Sequence, residues 1–282
     1  MQTFETPEPI AVEIEVGVGD VRVLAGETGA TSVEVVPSNP GNRDDVAAAE
    51  QTRVEFAAGR LRVKAPKTWK RYRPFNDGGS VDVRIELPAG SALSGEAGVA
   101  ALQVSGPLGN CRFSTGMGGV HIDAADTLEL RTGAGDVTVG RATGAANVTT
   151  GSGKIRIDVA DTSAVIKNSN GDCWIGEAAS DLRVSTANGD IRVDRAQASV
   201  VAKTAYGDVR LAELVRGSVV AETAYGAVEL GIADGSAAHL ELSTGWGQVR
   251  SDLDAADAPT AGTDAVEIRG KTAFGDITVR RA

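Results

Sequence analysis

Apolar and polar positions alternate in short paired runs along most of the chain. Leu182-x-Val184-x-Thr186 and Val200-x-Ala202-x-Thr204 are leading runs, and Ile191-x-Val193 and Val209-x-Leu211 follow them. A period of two marks strands that bury one face. An x-Gly pair separates the two runs and predicts a tight turn, because Gly tolerates positive φ. Three places after each second run comes a small or apolar residue, at Ala142, Ala160, Ala178, Ala196, Leu214 and Ala233, suited to a third corner.

The runs belong to an internal repeat. Copies read Thr132-Gly-Ala-Gly135-Asp136-Val137, Thr150-Gly-Ser-Gly153-Lys154-Ile155, Asn168-Ser-Asn-Gly171-Asp172-Cys173, Thr186-Ala-Asn-Gly189-Asp190-Ile191 and Thr204-Ala-Tyr-Gly207-Asp208-Val209. Further copies sit at Thr115–Gly118, Thr223–Gly226, Thr244–Gly247 and Thr272–Gly275, a degenerate one at Ala97–Ala100, and an isolated one at Val16–Val23. From Ala100 to Gly275 the fourth motif position advances by 18, 17, 18, 18, 18, 18, 19, 21 and 28 residues. A fixed period of this length signals a stacked-repeat architecture.

An antiparallel meander and a parallel β-solenoid both bury such repeats. The solenoid is favoured because each column of equivalent residues then meets its own kind. A hexapeptide helix is disfavoured, since Gln197 and Lys203 follow Ile191 at six-residue steps. The expected fold is all-β: a parallel β-solenoid, or β-helix, of about ten 18-residue coils over 91–282. Residues 1–90 form an N-terminal, mainly β capping region, with strand-like runs at 12–16, 20–24, 32–36, 53–56, 60–63 and 81–87 and a short helix at Asn42–Gln51. The acidic stretch 252–264 is expected to cap the other end, where Ile277–Arg280 would otherwise leave an open edge.

The repeated Thr-x-x-Gly-Asp-Val-x-Val resembles a bacterial β-strand-repeat family of unknown function often labelled "putative adhesin". Val16-Gly-Val-Gly19-Asp20-Val21 and Ile166-Lys-Asn168-Ser-Asn-Gly171-Asp172 carry the resemblance, which covers most of the chain. It implies a β-solenoid, and the label implies surface adhesion.

Composition narrows the chemistry. The chain has 282 residues, 42% hydrophobic and 23% charged, so it folds rather than staying disordered. With 3 Trp, 3 Tyr and 5 Phe, the core is built from Val, Ile, Leu and Ala, which disfavours a helix bundle or a Rossmann enzyme. A net charge of −10 gives no global attraction to nucleic acid or anionic membrane, and neither partner is expected. Cys111 and Cys173 fit no metal-ligand spacing or disulfide framework. No 18-residue apolar window occurs, so no membrane span is expected. The opening Met1-Gln2-Thr3-Phe4-Glu5 does not read as a signal peptide, and a cytoplasmic location is expected.

Stacking turns positions into surface columns. After the Gly run Asp136, Lys154, Asp172, Asp190, Asp208, Ala227, Gln248 and Asp276. One Asp per coil is too few for calcium, which takes six to eight oxygens, so these read as turn-fixing residues and no metal or cofactor is expected. Two places on, His121, Arg156, Trp174, Arg192, Arg210, Glu229 and Arg250 set a basic column beside the Asp column, so the two can neutralise each other across rungs. Trp174 between Arg156 and Arg192 is either a cation–π stack or a partner-binding spot. The residue before Gly turns aromatic toward the C-terminus: Tyr206, Tyr225, Trp246 and Phe274. It is a stiffening ladder or an exposed strip for a sugar or protein, and the best candidate site.

Between Arg60 and Asn76 lie seven basic residues and no acid, with Lys67, Trp69, Lys70, Arg71, Tyr72 and Arg73 at the centre. Such a loop is solvated, docks on the chain's own acids or a neighbour's, or grips phosphate. Catalytic signals are weak. His121 and His239 neighbour inward apolar residues and so point outward, and Gly151-Ser-Gly153-Lys154 lacks the Ser or Thr of a phosphate loop. The reading is a non-enzymatic scaffold binding a protein partner or itself as a homo-oligomer. A carbohydrate-binding or adhesive module is the alternative, and a polysaccharide-active enzyme the third reading.

Overall fold

The computed structural model describes residues 1–66, 79–253 and 264–282. The chain divides into two compact units, Met1–Thr138 and Val139–Ala282. Both are all-β stacks of parallel coils, the β-solenoid architecture read from the repeat.

The first unit contains β1 (Gln2–Glu5), β2 (Ala11–Val18), β3 (Val21–Gly26), β4 (Ala30–Pro37), α1 (Arg43–Gln51), β5 (Arg53–Ala57), β6 (Arg60–Lys64), β7 (Val81–Pro88), β8 (Ala92–Val99), β9 (Leu102–Leu108), β10 (Cys111–Met117), β11 (Val120–Ala125) and β12 (Leu128–Ala134). Strand β13 (Val137–Ala142) carries the division between the units. One sheet of this unit runs β1-β4-β7-β3-β9-β11 and the other β5-β6-β2-β8-β10-β12.

The isolated motif copy at Val16–Val23 is a full coil: β2 pairs in parallel with β8 (Val12 with Leu93, Val18 with Val99) and β3 with β9 (Val21 with Leu102). The described strands between this copy and the regular repeats, together with β1, close the end. There the pairing turns antiparallel, β4 on β7, β1 on β4 and β5 on β6. Phe4 of β1 stacks on Phe56 of β5, ring centroids 5.0 Å apart. Helix α1 lies where the Ala-rich run and Asn42 place it, and the Asn42 side chain accepts from the Asp44 N–H at 2.9 Å as an N-cap. Its buried Asp45 carboxylate holds two loop N–H groups, those of Asn39 (3.1 Å) and Ser80 (2.9 Å).

The second unit contains β14 (Ala146–Ser152), β15 (Ile155–Ala160), β16 (Ala164–Asn170), β17 (Cys173–Ala178), β18 (Leu182–Ser185), β19 (Ile191–Ala196), β20 (Val200–Lys203), β21 (Val209–Leu214), β22 (Gly217–Tyr225), β23 (Val228–Ile232), β24 (Ala237–Trp246), β25 (Val249–Ser251), β26 (Ala265–Phe274) and β27 (Ile277–Arg281). Its strands, among the described residues, pair in parallel and join equivalent motif positions: Ile155 meets Cys173, Cys173 meets Ile191, and Ile191 meets Val209. Inward columns such as Ile157, Ile175, Val193, Leu211 and Leu230 are almost wholly buried. Each such side chain contributes roughly 1.5–3 kcal/mol by leaving water. The corner residues Ala142, Ala160, Ala178, Ala196 and Leu214 are buried as well and fill the third side.

The C-terminal order corrects the expectation from sequence. The sheets end β23-β27-β25 and β22-β26-β24, so the last coil in sequence inserts between the two before it. Ile277–Arg280 is therefore an interior strand, paired with β23 on one side and β25 on the other. Among the described strands the edge belongs to β24 and β25, and of the cap expected at 252–264, residues 254–263 lie outside the described residues. The 28-residue step from Gly247 to Gly275 reflects this return path.

Candidate functional site

The geometry of the surface columns starts at the turn glycines. These glycines, from Gly19 to Gly275, have φ between +130° and +159°. Each backbone approaches the carbonyl of the preceding coil: a Cβ on Gly189 would lie 2.2 Å from the Gly171 oxygen, and one on Gly207 would lie 2.2 Å from that of Gly189. Only Gly permits both the dihedral and the approach.

Two side-chain ladders flank this spine. Inside, the motif Thr hydroxyls donate to the turn carbonyls of the neighbouring coil: Thr204 to Gly189 (3.1 Å), Thr223 to Gly207 (2.9 Å), Thr272 to Gly226 (3.0 Å) and Thr244 to Gly275 (2.9 Å). Asn168 replaces Thr in one coil. Its amide donates to Gly153 and Gly171 at 2.9 Å, but its buried Oδ1 accepts nothing. Outside, the Asp column holds backbone N–H groups one coil on: Asp172 accepts from Asp190 (3.1 Å), Asp190 from Asp208 (2.8 Å), Asp208 from Ala227 (2.7 Å) and Asp276 from Gln248 (2.8 Å). These carboxylates thus act as the structural residues expected of them. Their bonds, however, run between coils rather than within one turn. Among the described residues no group of three or more His, Cys, Asp or Glu side chains could hold a metal.

Arg156, Arg192 and Arg210 do not form ion pairs with the Asp column as expected. Arg156 binds Asp158 (2.9 Å) and Arg192 binds Asp194 (2.7 Å), each two residues along its own strand, while Arg210 takes Glu229 at 2.7 Å. The Arg210 hydrogen bond holds the Glu229 carboxyl below its usual pKa. Trp174 is enclosed by this network: the Arg156 guanidinium lies 3.9 Å from its ring centroid, and its indole N–H donates to Asp194 at 3.0 Å. The residues around it form an intramolecular cation–π stack.

The aromatic column is different. Tyr206 and Tyr225 stack with centroids 4.9 Å apart and planes 3° apart, and Tyr225 and Phe274 repeat this at 4.9 Å and 4°. Trp246 follows in register with Phe274, so the spatial order is Tyr206, Tyr225, Phe274, Trp246. They are 56%, 47%, 45% and 75% exposed. The separation is that of adjacent strands, so the stack follows directly from placing four aromatics at one repeat position. Tyr225 has both ring faces covered, so its exposed surface is not a ring face.

In the first unit the same pre-Gly position carries Val18, Val99 and Met117, also exposed and adjacent in register. The column read from sequence does not include them, although the motif copies at Val16–Gly19, Ala97–Ala100 and Thr115–Gly118 identify all three. Of the basic segment, Arg62 pairs with Glu13 (2.9 Å) and Lys64 with Glu15 (3.1 Å) across β2 and β6, so its first part docks on the chain's own acids. Lys67, Trp69, Lys70, Arg71, Tyr72 and Arg73 lie outside the described residues. His121 and His239 are exposed, His121 lying 3.2 Å from Asp123. Cys111 and Cys173 are buried core residues, and burial pushes their thiols up to about 12 and about 11.

Comparisons with solved structures return distant likenesses. One described as a "putative adhesin" from Bacteroides fragilis is 14% identical, with 99% of this chain and 95% of that one covered and a TM-score of 0.36. Another so described, from Parabacteroides merdae, is 12% identical over 100% and 95%, TM-score 0.37. A "putative lipid binding protein" from Parabacteroides distasonis is 11% identical over 100% and 95%, TM-score 0.34. The curated proteins contain no match. The family comparison is decisive: the Toastrack DUF4097 model matches residues 11–280, and this chain, with its parallel coils and Gly-Asp turn spine, belongs to that family.

Proposed function

We propose that the chain is a non-enzymatic interaction scaffold that binds a protein partner through the aromatic column Tyr206–Tyr225–Phe274–Trp246. The observation that carries this reading is the exposure of four adjacent aromatic side chains on one face. Contiguous exposed apolar patches are uncommon on soluble proteins and mark contact surfaces, where Tyr and Trp dominate binding energy. The other polar columns support it by being consumed in the fold: Asp on backbone N–H groups, Thr on turn carbonyls, Arg on neighbouring acids. Carbohydrate binding is the second reading, favoured by the exposure of Trp246 alone. Within the ladder, ring faces that would stack on a sugar already cover each other.

The test places a photo-crosslinking benzoylphenylalanine at Tyr225 in the producing cells, with the same group at exposed Arg131 as control. A single protein adduct specific to position 225 is expected. Its purified partner should bind Tyr206→Ser/Tyr225→Ser at least about tenfold more weakly. Adducts no different from the control, or unchanged affinity, would overturn the proposal. A Trp fluorescence response to polysaccharides that Trp246→Ala abolishes would move the assignment to the second reading.

A further inference from the structure

The two ends of the coil stacks are finished differently. In the first unit, antiparallel strands, a helix and the Phe4–Phe56 stack close the end. In the second unit, β24 and β25 are the outermost strands of both sheets, and no described strand pairs with their outer edges. Among the described residues nothing caps the core there. Val249 is 45% exposed, whereas its register partner Ile277 is 0% exposed. The inward positions Leu240 and Leu242 of β24 are half-buried, and Ile268 beside Leu240 is buried. A ten-residue edge that no described strand pairs, over half-covered leucines, is a template for further pairing.

We infer that this edge pairs with a second copy of the same chain, β24 against β24, antiparallel about a two-fold axis. The inference rests on reading the chain as an interaction scaffold and names one partner, at a surface that shares Trp246 with the aromatic column. An isologous two-fold contact requires a self-complementary surface, and a single strand edge meets that requirement in antiparallel pairing. Opposed residues in such a pair share a face, so the axis must fall on a residue. Centring on Glu241 would set it against the partner's Glu241, a like-charge clash. Centring on Leu240 limits the overlap to 237–243. Centring on Leu242 extends it over 238–246 and sets Leu242 on the partner's Leu242, Glu241 on the partner's Ser243 and Ala238 on the partner's Trp246. No like charges meet in that register.

The area is sufficient for a transient dimer. Ten residues span about 33 Å, and two sheets about 10 Å apart give an end face of roughly 330 Å² per copy. The total of about 660 Å² is that of a weak, transient contact, so a Kd of about 100 µM is expected.

The test is sedimentation velocity from about 1 to 200 µM, with three variants. Ser243 is exposed and lies beside Lys271 of its own chain, so charge there leaves the monomer folded, as an unchanged melting temperature checks. The wild type should form a concentration-dependent dimer, with Trp246 emission shifting blue as it forms. Ser243→Glu, set twice against Glu241 across the axis, should raise Kd about tenfold, and Ser243→Lys should not raise it. Tyr206→Ser/Tyr225→Ser should dimerise like wild type, which separates this contact from binding at the aromatic column. A monomer at every concentration, a dimer indifferent to Ser243→Glu, or open-ended polymers would each overturn the inference.

Discussion

Replacing Gly189 with Ala probes the element on which every coil depends. Gly189 has φ +139°, and an added Cβ would sit 2.2 Å from the Gly171 oxygen and 2.5 Å from its carbonyl carbon. These are backbone atoms held by their own bonds: the Asn168 amide donates to the Gly171 oxygen, and the Gly171 N–H donates to Asn188 at 2.8 Å. Relief therefore requires the neighbouring coil to retreat by about 1 Å, loosening one or two buried hydrogen bonds at about 1 kcal/mol each. The dihedral strain adds roughly 1–3 kcal/mol, for a total of about 2–5 kcal/mol. With an unfolding entropy near 2.1 cal/mol/K per residue, that lowers Tm by about 3–8 °C. Gly59→Ala is the control. Gly59 has φ +72° and nothing within 4 Å of the added Cβ, so only the left-handed penalty of about 1–2 kcal/mol applies. Calorimetry and urea titration on both variants decide the matter. If Gly189→Ala loses no more stability than Gly59→Ala, close approach between coils is not what requires glycine.

Three further outcomes follow from the same geometry. Asn168→Thr restores the motif hydroxyl and removes a buried unsatisfied Oδ1, so stability in urea should rise by about 1 kcal/mol. Asp45→Ala strands the N–H groups of Asn39 and Ser80 in the end cap and should cost about 2–3 kcal/mol by the same measurement. The thiols of Cys111 and Cys173, pushed up to about 12 and 11 by burial, should resist a thiol reagent until the protein unfolds. Above pH 9 the unfolded chain releases those protons while the native state keeps them. Stability is therefore full below pH 9 and should fall toward pH 11–12; at pH 10 the loss is about 1–3 kcal/mol, and a Cys111→Ala/Cys173→Ala background should lack it.

Much of the candidate site was legible because a column is a property of the repeat. Once Tyr206, Tyr225, Trp246 and Phe274 share the position before the turn Gly, a parallel stack must set them side by side. Their order was not legible, nor was the choice of Asp158, Asp194 and Glu229 as Arg partners, because side-chain reach along a strand competes with reach across it. The same holds for Trp174, whose Asp194 partner lies on the next coil.

The sequence by itself determined the conformation within each coil. Alternation assigned the faces and the turn Gly fixed the corner through neighbours a few residues apart, while the motif Thr and Asp marked the rungs that bond one coil to the next. Only the tertiary structure decided which coil lies against which. It placed β2–β3 directly on β8–β9 and slipped β26–β27 between the two coils that precede it in the chain. Equivalent coils present the same backbone edge and the same apolar columns, so any coil can stack on any other in register. Long connections and the burial available at each end choose among them, and neither leaves a local pattern to read.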